Sequence, residues 1–352
     1  MKSIKDISWN VDEPTYRANE ALSFSTISKF YREGFQNIDK LFEKEESQSL
    51  TFGSIVDCLL TEGQDEFNKK YFVCVVPLVS DEYKLVLKDI KNELGDTYKS
   101  LYDIPDKTIV QYLDKYGVYQ NKWYDNTKAN KVREGGDAYY QIMFKSEGKQ
   151  VIPKDMYDDA VSCILTFKES RATEFYFRED NPFDGIERKY QLKFQGEYDY
   201  NGHKIPLRCM DDLIVVDHKN KTIQICDVKT SSEEEYLFSR HFMKWQYWMQ
   251  AEIYTYILKQ NILKDDYFKD FKILPFKFLV INRNNRTPLV WEWPLSDCEK
   301  DIVIEGKTRN IYIPSWIGYA EDLDMYLSLK PKTPKGISEF HENNILSALK
   351  EW

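Results

Sequence analysis

The sequence predicts an α/β fold in which a mixed central sheet is flanked by helices and interrupted by a helical insertion. Three observations predict it. From residue 154 onward the order of elements is helix, three strands, helix, strand, an alternation that lays helices on a sheet. Residues 80 to 150 change texture, becoming rich in Tyr, Lys and Asp. No Pro/Gly/Ser-rich linker and no internal repeat separates independent domains, so a single unit carrying an insertion is the simpler arrangement. The expected parts are an N-terminal helical part of the core (1–79), the helical and aromatic insertion (80–150), the remaining core with its hairpin and long helix (151–300), and a C-terminal helical extension (301–352).

Each element has a local reason. Leu22-Ser23-Phe24-Ser25-Thr26-Ile27 offers Ser and Thr caps to a helical pattern that continues through Phe30, Tyr31 and Phe35. Phe52 to Leu60 reads as an apolar helix interrupted by one acid, Asp57. Helical stretches follow near Tyr83 to Leu94 and Thr108 to Tyr116, among aromatics and lysines that either pack an accessory layer or meet bases and phosphates. Gly135-Gly136, after Lys131 and Arg133, reads as an ordinary loop. A helix is expected around Lys154 to Phe167. Strands are expected at Lys189 to Tyr198, Ile205 to Val216 and Lys221 to Val228, the last two joined by the turn-like Asp217-His218-Lys219-Asn220 into an antiparallel hairpin. Phe238 to Leu258 reads as one long amphipathic helix, Phe276 to Asn282 as a buried strand, and Leu289 to Trp293 as an edge strand stopped by Pro294. The C-terminal stretch from Trp291 to Trp352, which holds Trp293, Trp316, Tyr319 and Tyr326, reads as a helix that packs on the sheet edge and then a tail around Lys330-Pro331-Lys332.

Composition narrows the class. Hydrophobic residues at 42% and aromatics at 15% argue for a packed core, and a mean hydropathy of -0.59 argues against a membrane protein. No run approaches the roughly 18 apolar residues of a spanning helix, and the opening MKSIKDISWNVDEP lacks a signal-peptide core, so no membrane and a cytoplasmic location are expected. The six cysteines form no CxxC pair and have no His partner spacing, which predicts reduced thiols and no zinc site. A net charge of -9 counts against binding nucleic acid by bulk electrostatics, but not against a local acidic centre with a local basic path. No GxxxxGK[ST] loop is present, so the chain does not power its own unwinding.

The candidate chemistry lies on the hairpin. In Ile225-Cys226-Asp227-Val228-Lys229-Thr230, Asp227 and Lys229 are two apart on a strand and leave on the same face. Across the turn, Met210-Asp211-Asp212-Leu213 places two acids at the mouth of an apolar run. Strand alternation lets only one of them face Asp227. Asp-x-Lys recurs by chance as a solvated strand face. Here, however, both pieces are bounded by apolar strand, where a carboxylate is costly unless paired or metal-bound. Carboxylates beside one ammonium group suit a hard cation such as Mg²⁺ or Mn²⁺, and such ions serve the activation of water, the approach to a phosphate and the departure of an alkoxide.

Asp212 and Asp227-x-Lys229, followed by a helix bearing Gln250-Ala251-Glu252-Ile253-Tyr254, resemble the RecB-like branch of the PD-(D/E)XK nucleases, whose helix carries Gln-x-x-x-Tyr. Leu22-Ser23-x-Ser25 and Phe52-Gly53-Ser54-x-x-Asp57 resemble the opening of phage exonucleases related to exonuclease VIII (RecE). The resemblance implies a restriction-endonuclease-like core. It makes Asp212 and Asp227 metal ligands and Lys229 the group that positions the attacking water and offsets phosphate charge. Gln250 and Tyr254 would brace the hairpin and touch DNA. Asp211 competes with Asp212, since the family has an apolar residue before its acid. Asp57 stands where many relatives carry a metal-binding histidine; it is either a third oxygen ligand or a helix-buried acid capping a neighbour. Gln191 takes a supporting role. With only Cys298 after the catalytic helix, the iron–sulfur cluster of some relatives is not expected. The implied function is a Mg²⁺-dependent exonuclease acting on duplex DNA ends in phage recombination, in a bacterial host. Its implied partners are DNA, a single-strand annealing protein and further copies of the chain. A structure-selective or defence endonuclease of the same fold is an alternative, and a catalytically silent DNA-binding protein another.

Overall fold

The computed structural model describes all residues except 35–39, 43–46, 120–122, 182, 308 and 330–352, together with the side chains of 326, 328 and 329. Phe35, the Tyr326 ring and the Lys330-Pro331-Lys332 tail therefore lie outside the described residues. The chain divides into two compact units, one of Met1–Glu62 with Ser162–Trp352 and the other of Gly63–Val161. The expected insertion at 80–150 falls wholly inside the second unit, whose borders run wider.

The first unit opens with α1 (Glu13–Ala18), α2 (Phe24–Glu33) and α3 (Gln48–Asp57). Ser23 starts α2 with a capping box: Thr26 Oγ1 accepts from the Ser23 backbone at 2.8 Å. Leu22, one residue earlier, bridges to Leu207 of the sheet. Helix α3 continues into a single π-helical turn, Cys58–Glu62, so Asp57 is its last regular residue.

The second unit contains α4 (Gln64–Lys70), β1 (Tyr71–Cys74), α5 (Asp81–Leu94), α6 (Asp106–Lys115), α7 (Asp125–Lys145) and β2 (Gln150–Pro153), which pairs in parallel with β1. Helices α5, α6 and α7 bury Leu87, Ile90, Leu113 and Val132 in a common core. Gly135 and Gly136 are not a loop; they sit inside α7. A β-carbon at Gly136 would come within 3.1 Å of Leu87 and one at Gly135 within 3.2 Å of Tyr83. Close approach of α7 to α5 explains two glycines where each costs a helix about 1 kcal/mol relative to alanine.

After α8 (Lys154–Glu169) and α9 (Glu174–Phe177), the first unit builds its sheet from β3 (Ile186–Tyr200), β4 (His203–Asp217), β5 (Thr222–Ser231), β6 (Lys272–Ile273), β7 (Phe276–Asn282) and β8 (Pro288–Trp293). The order is β3-β4-β5-β7-β8, with β6 beside β5. Pairing is antiparallel except for β5 with β6 and with β7, so the sheet is mixed. Asn201-Gly202, both at positive φ, closes the β3–β4 hairpin in two residues. Asp217 shapes the β4–β5 turn by accepting the backbone N–H groups of Lys219 and Asn220. Helices α10 (Phe238–Lys244) and α11 (Tyr247–Leu263) replace the single helix expected at 238–258. The break falls at Gln246, whose φ of 53° no helix accommodates. Together α2, α11 and α12 (Trp316–Leu329) cover one sheet face, burying Ile27, Phe194, Ile225, Ile253, Phe278 and Trp316. A short ladder, β9 (Ile302–Ile304) with β10 (Ile311–Ile313), precedes α12. Among the described residues no helix is long and apolar enough to cross a membrane.

Candidate active site

The sheet forks at the site. Strands β4 and β5 pair from Asp217↔Thr222 as far as Leu213↔Cys226 and then separate. Beyond the fork β4 continues with β3 alone, while β5 continues with β7, where Asp227 lies opposite Phe278 and Lys229 opposite Val280. Asp212 and Asp227 are the first residues past the last β4–β5 pair. The backbone N–H of Val228 there donates to Asp212 Oδ2 at 2.9 Å. A side chain thus takes over an amide that the ladder has released, as a buried donor requires.

A second break sits across β4. Gln191 has φ 53°, and the β3–β4 ladder skips from Tyr190↔Leu213 to Leu192↔Asp211. On one side of this point Ile214 and Val216 face the main core; on the other Cys209 and Leu207 do. Those positions are out of step with strict alternation, so the strand changes face within residues 210 to 213. The argument that only one of Asp211 and Asp212 can approach Asp227 therefore fails. Both acids feel the Asp227 charge, which raises the pKa of each.

Their surroundings still separate them. Asp211 is 1% exposed, and burial holds its carboxyl well above the usual range. Its polar neighbour is the Cys209 thiol, at 3.8 Å from Oδ2. Asp212 is half-buried and interacts with Asp57, Asp227 and Lys229 together. Burial, then Asp57, then Asp227 push its pKa well up, while Lys229 and the Val228 amide pull it down. Asp211 is a core acid with a thiol as its polar neighbour. Asp212 is the member of the constellation.

Asp57 enters from the end of α3, which approaches β5 closely enough that a β-carbon on Gly53 would lie 3.4 Å from Thr230 Oγ1. Gln191 holds it, donating from Nε2 to Oδ1 at 3.0 Å and Oδ2 at 3.1 Å, with Thr61 Oγ1 3.2 Å from the same nitrogen. Burial, Asp227 and Glu62 push Asp57 up to about 7, against the opposing effects of Lys229 and Gln191.

Asp227 is 3% exposed. Its Oδ2 lies 2.5 Å from Lys229 Nζ, and its Oδ1 accepts a hydrogen bond from Gln250 Nε2 of α11. Burial works against the Lys229 ammonium, but Asp227, Tyr247 and Asp212 outweigh it and raise its pKa above the usual value. The Tyr247 ring centroid is 4.9 Å from Nζ, within cation–π range. These surroundings favour the charged form of Lys229.

Most of the sequence-predicted residues converge here: Asp57, Asp212, Asp227, Lys229, Gln191 and Gln250. Tyr254 lies beside this group, packed against the main core. It packs edge-on against Phe276 with centroids 6.2 Å apart, and burial raises its phenol pKa strongly, beside Tyr16, Asp227 and Asp211. Thr61, Glu62 and Tyr247 were not anticipated. Only Tyr247 carried a local signal, standing one helical turn before Gln250.

Among the described residues, no three His, Cys, Asp or Glu side chains already form a cage for a metal ion; Lys229 and Gln250 occupy the Asp227 oxygens instead. The donor chemistry nevertheless suits a hard dication. Three carboxylates face one ammonium, and two of the three are pushed toward the protonated form partly by mutual repulsion. A site short of positive charge gains on binding a cation.

No known family model matches the chain, and no curated protein does. Among solved structures, that of SSO0001 is similar over 72% of this chain and 90% of its own, at 13% identity and a TM-score of 0.25. A likeness of that size carries no argument about function.

Proposed function

We propose that the chain is a Mg²⁺- or Mn²⁺-dependent deoxyribonuclease of the PD-(D/E)XK type, acting as an exonuclease on duplex DNA. The observation that carries the reading is the fork itself, where Asp57, Asp212 and Asp227 share one charge environment with Lys229, whose charged form they favour. Asp212 and Asp227, with Asp57 from α3, would hold the ion. A divalent cation, when bound, polarises a phosphoryl oxygen and acidifies water. Lys229 orients the attacking water and offsets charge gathering on the phosphate; its raised pKa fits it for that task and not for proton abstraction. Gln250 fixes the Asp227 rotamer, and Gln191 fixes Asp57, each from an element outside the fork.

The exonuclease mode, an annealing partner and self-association rest on the family resemblance of the motifs. The test is to incubate end-labelled linear duplex and covalently closed circular DNA with Mg²⁺ or with chelator. Mg²⁺-dependent loss of the linear duplex alone is expected. Cutting of the closed circle would make the enzyme an endonuclease, and no cleavage of either substrate would overturn the nuclease reading.

A further inference from the structure

The second unit carries a feature that the hairpin chemistry does not use. A hollow of about 690 Å³ opens between α5, Tyr139 of α7 and the segment leading into β2. Its lining includes Lys84, Lys88, Lys91 and Lys149 against a single acid, Asp81, in a chain whose net charge is -9. The lysines are not equivalent. Lys84 pairs with Asp81 at 2.8 Å. Lys91 donates to the Met143 carbonyl and stands 4.5 Å from the centroid of the Phe144 ring. Neither Lys88 nor Lys149 is in a salt bridge with any described residue, and Lys88 is exposed.

Spacing decides what such a surface suits. Lys84, Lys88 and Lys91 follow one side of α5, beside the face that buries Val86, Leu87 and Ile90. At 1.5 Å rise per residue they are spread over about 10 Å, whereas phosphates recur about every 3.4 Å along each strand of duplex DNA. A row of lysines spaced along a helix suits an extended polyanion better than a single anion. Tyr139, in the same lining, adds an apolar wall with a polar tip.

We propose that this hollow is a binding site for the sugar-phosphate backbone of DNA, with Lys88 and Lys149, which form no salt bridge with a described residue, as its principal cations. The choice of DNA as the polyanion rests on the nuclease reading; the electrostatics do not. The site needs no metal and reads no sequence. It supplies affinity that weakens as salt rises, because each phosphate it neutralises releases counterions.

The test measures binding of the full-length chain to a short fluorescent duplex in chelator, across about 50 to 200 mM salt. The wild type is compared with the double variant Lys88→Glu/Lys149→Glu and with Lys88→Arg/Lys149→Arg. The Glu pair should weaken binding by about tenfold or more at the lowest salt and flatten the slope of log K against log salt by about 2, while the Arg pair restores both. An unchanged affinity and slope in the Glu pair overturns the proposal, as does a wild type that does not bind duplex. Inorganic phosphate at concentrations matching the phosphate of competitor DNA should fail to displace the probe; displacement would make this a single-anion site and overturn the backbone assignment. Cleavage is read separately with Mg²⁺. A protein that binds through these lysines but never cuts loses the nuclease reading and keeps this one, and a protein that cuts while the Glu pair binds normally does the reverse.

Discussion

The fork in the sheet and the lysine face of α5 are opposite solutions to holding charge. At the fork, three carboxylates and one ammonium are crowded into a half-buried notch, and each shifts its neighbours' proton affinity. On α5 the charges stand along a solvated helix face, where water and salt screen them. A net charge of -9 describes neither region. Crowding suits chemistry, because only in a low-dielectric setting do fixed charges act strongly on a reacting group. Dispersal produces affinity, which grows with the number of contacts and is lost to salt.

If that contrast is right, Lys229→Ala gives the largest effect in the molecule. Cleavage should fall by about a thousandfold, since the ammonium acts on the transition state more than on bound DNA. Duplex affinity in chelator should stay close to wild type. Single-turnover cleavage and a binding isotherm measured side by side check both, and near-normal cutting would show that the crowded charges are structural. Gln250→Ala comes next, with a loss of roughly 10 to 100-fold in turnover or Mn²⁺ affinity, the range for removing a group that orients a metal ligand. Calorimetry with Mn²⁺ reads the affinity directly, and an unchanged value would mean that Asp227 needs no brace from α11.

How far these residues could be found from sequence depended on distance along the chain. Asp227 and Lys229 share a strand, and their spacing puts them on one face; Gln250 and Tyr254 share a helix and were marked by the family resemblance. The Gln191–Asp57 contact joins residues 134 apart, and no periodicity encodes it. The strands themselves were legible from apolar runs, and the mixed sheet from their order. The face change near Asp212 was not, because it turns on a left-handed backbone at a glutamine, a conformation few non-glycine residues adopt. Gln246 hid the break between α10 and α11 in the same way. At Gly135-Gly136 the local preference for a loop was overridden by the packing of α7 on α5, which local composition does not reveal.

The pH dependence of stability sharpens the comparison from the acidic side. Asp57 is raised from 3.8 to about 7, and Asp211 and Asp212 are raised as well. The folded protein therefore holds these protons more tightly than the unfolded chain. Their contribution is complete below the unfolded pKa and is lost as pH rises through the folded values. Without divalent ions, Tm should fall by several degrees between about pH 4 and 8. Asp57→Asn should flatten the curve between about pH 4 and 7, leaving the loss caused by Glu252, which burial raises to about 9 and which continues beyond that interval. Mg²⁺ should restore Tm at the alkaline end by binding the folded state alone. A curve that rises over this interval, or one that Asp57→Asn leaves unaltered, would mean that burial and the neighbouring carboxylates do not hold these protons.

The smallest effect tests the dispersed side, and its value lies in two opposite signs. Asp81 occupies the first turn of α5, where a negative charge favours the helix, and it also neutralises Lys84 across 2.8 Å. Asp81→Asn removes both influences at once. Tm should drop by about 1 °C, since an exposed charge at a helix start contributes little. Duplex binding at low salt should tighten by about twofold, because Lys84 is released to meet a phosphate. A purely structural role for the lysine face predicts the first change without the second. Loss of stability together with unchanged DNA affinity would therefore return these lysines to the ordinary solvated surface of a helix.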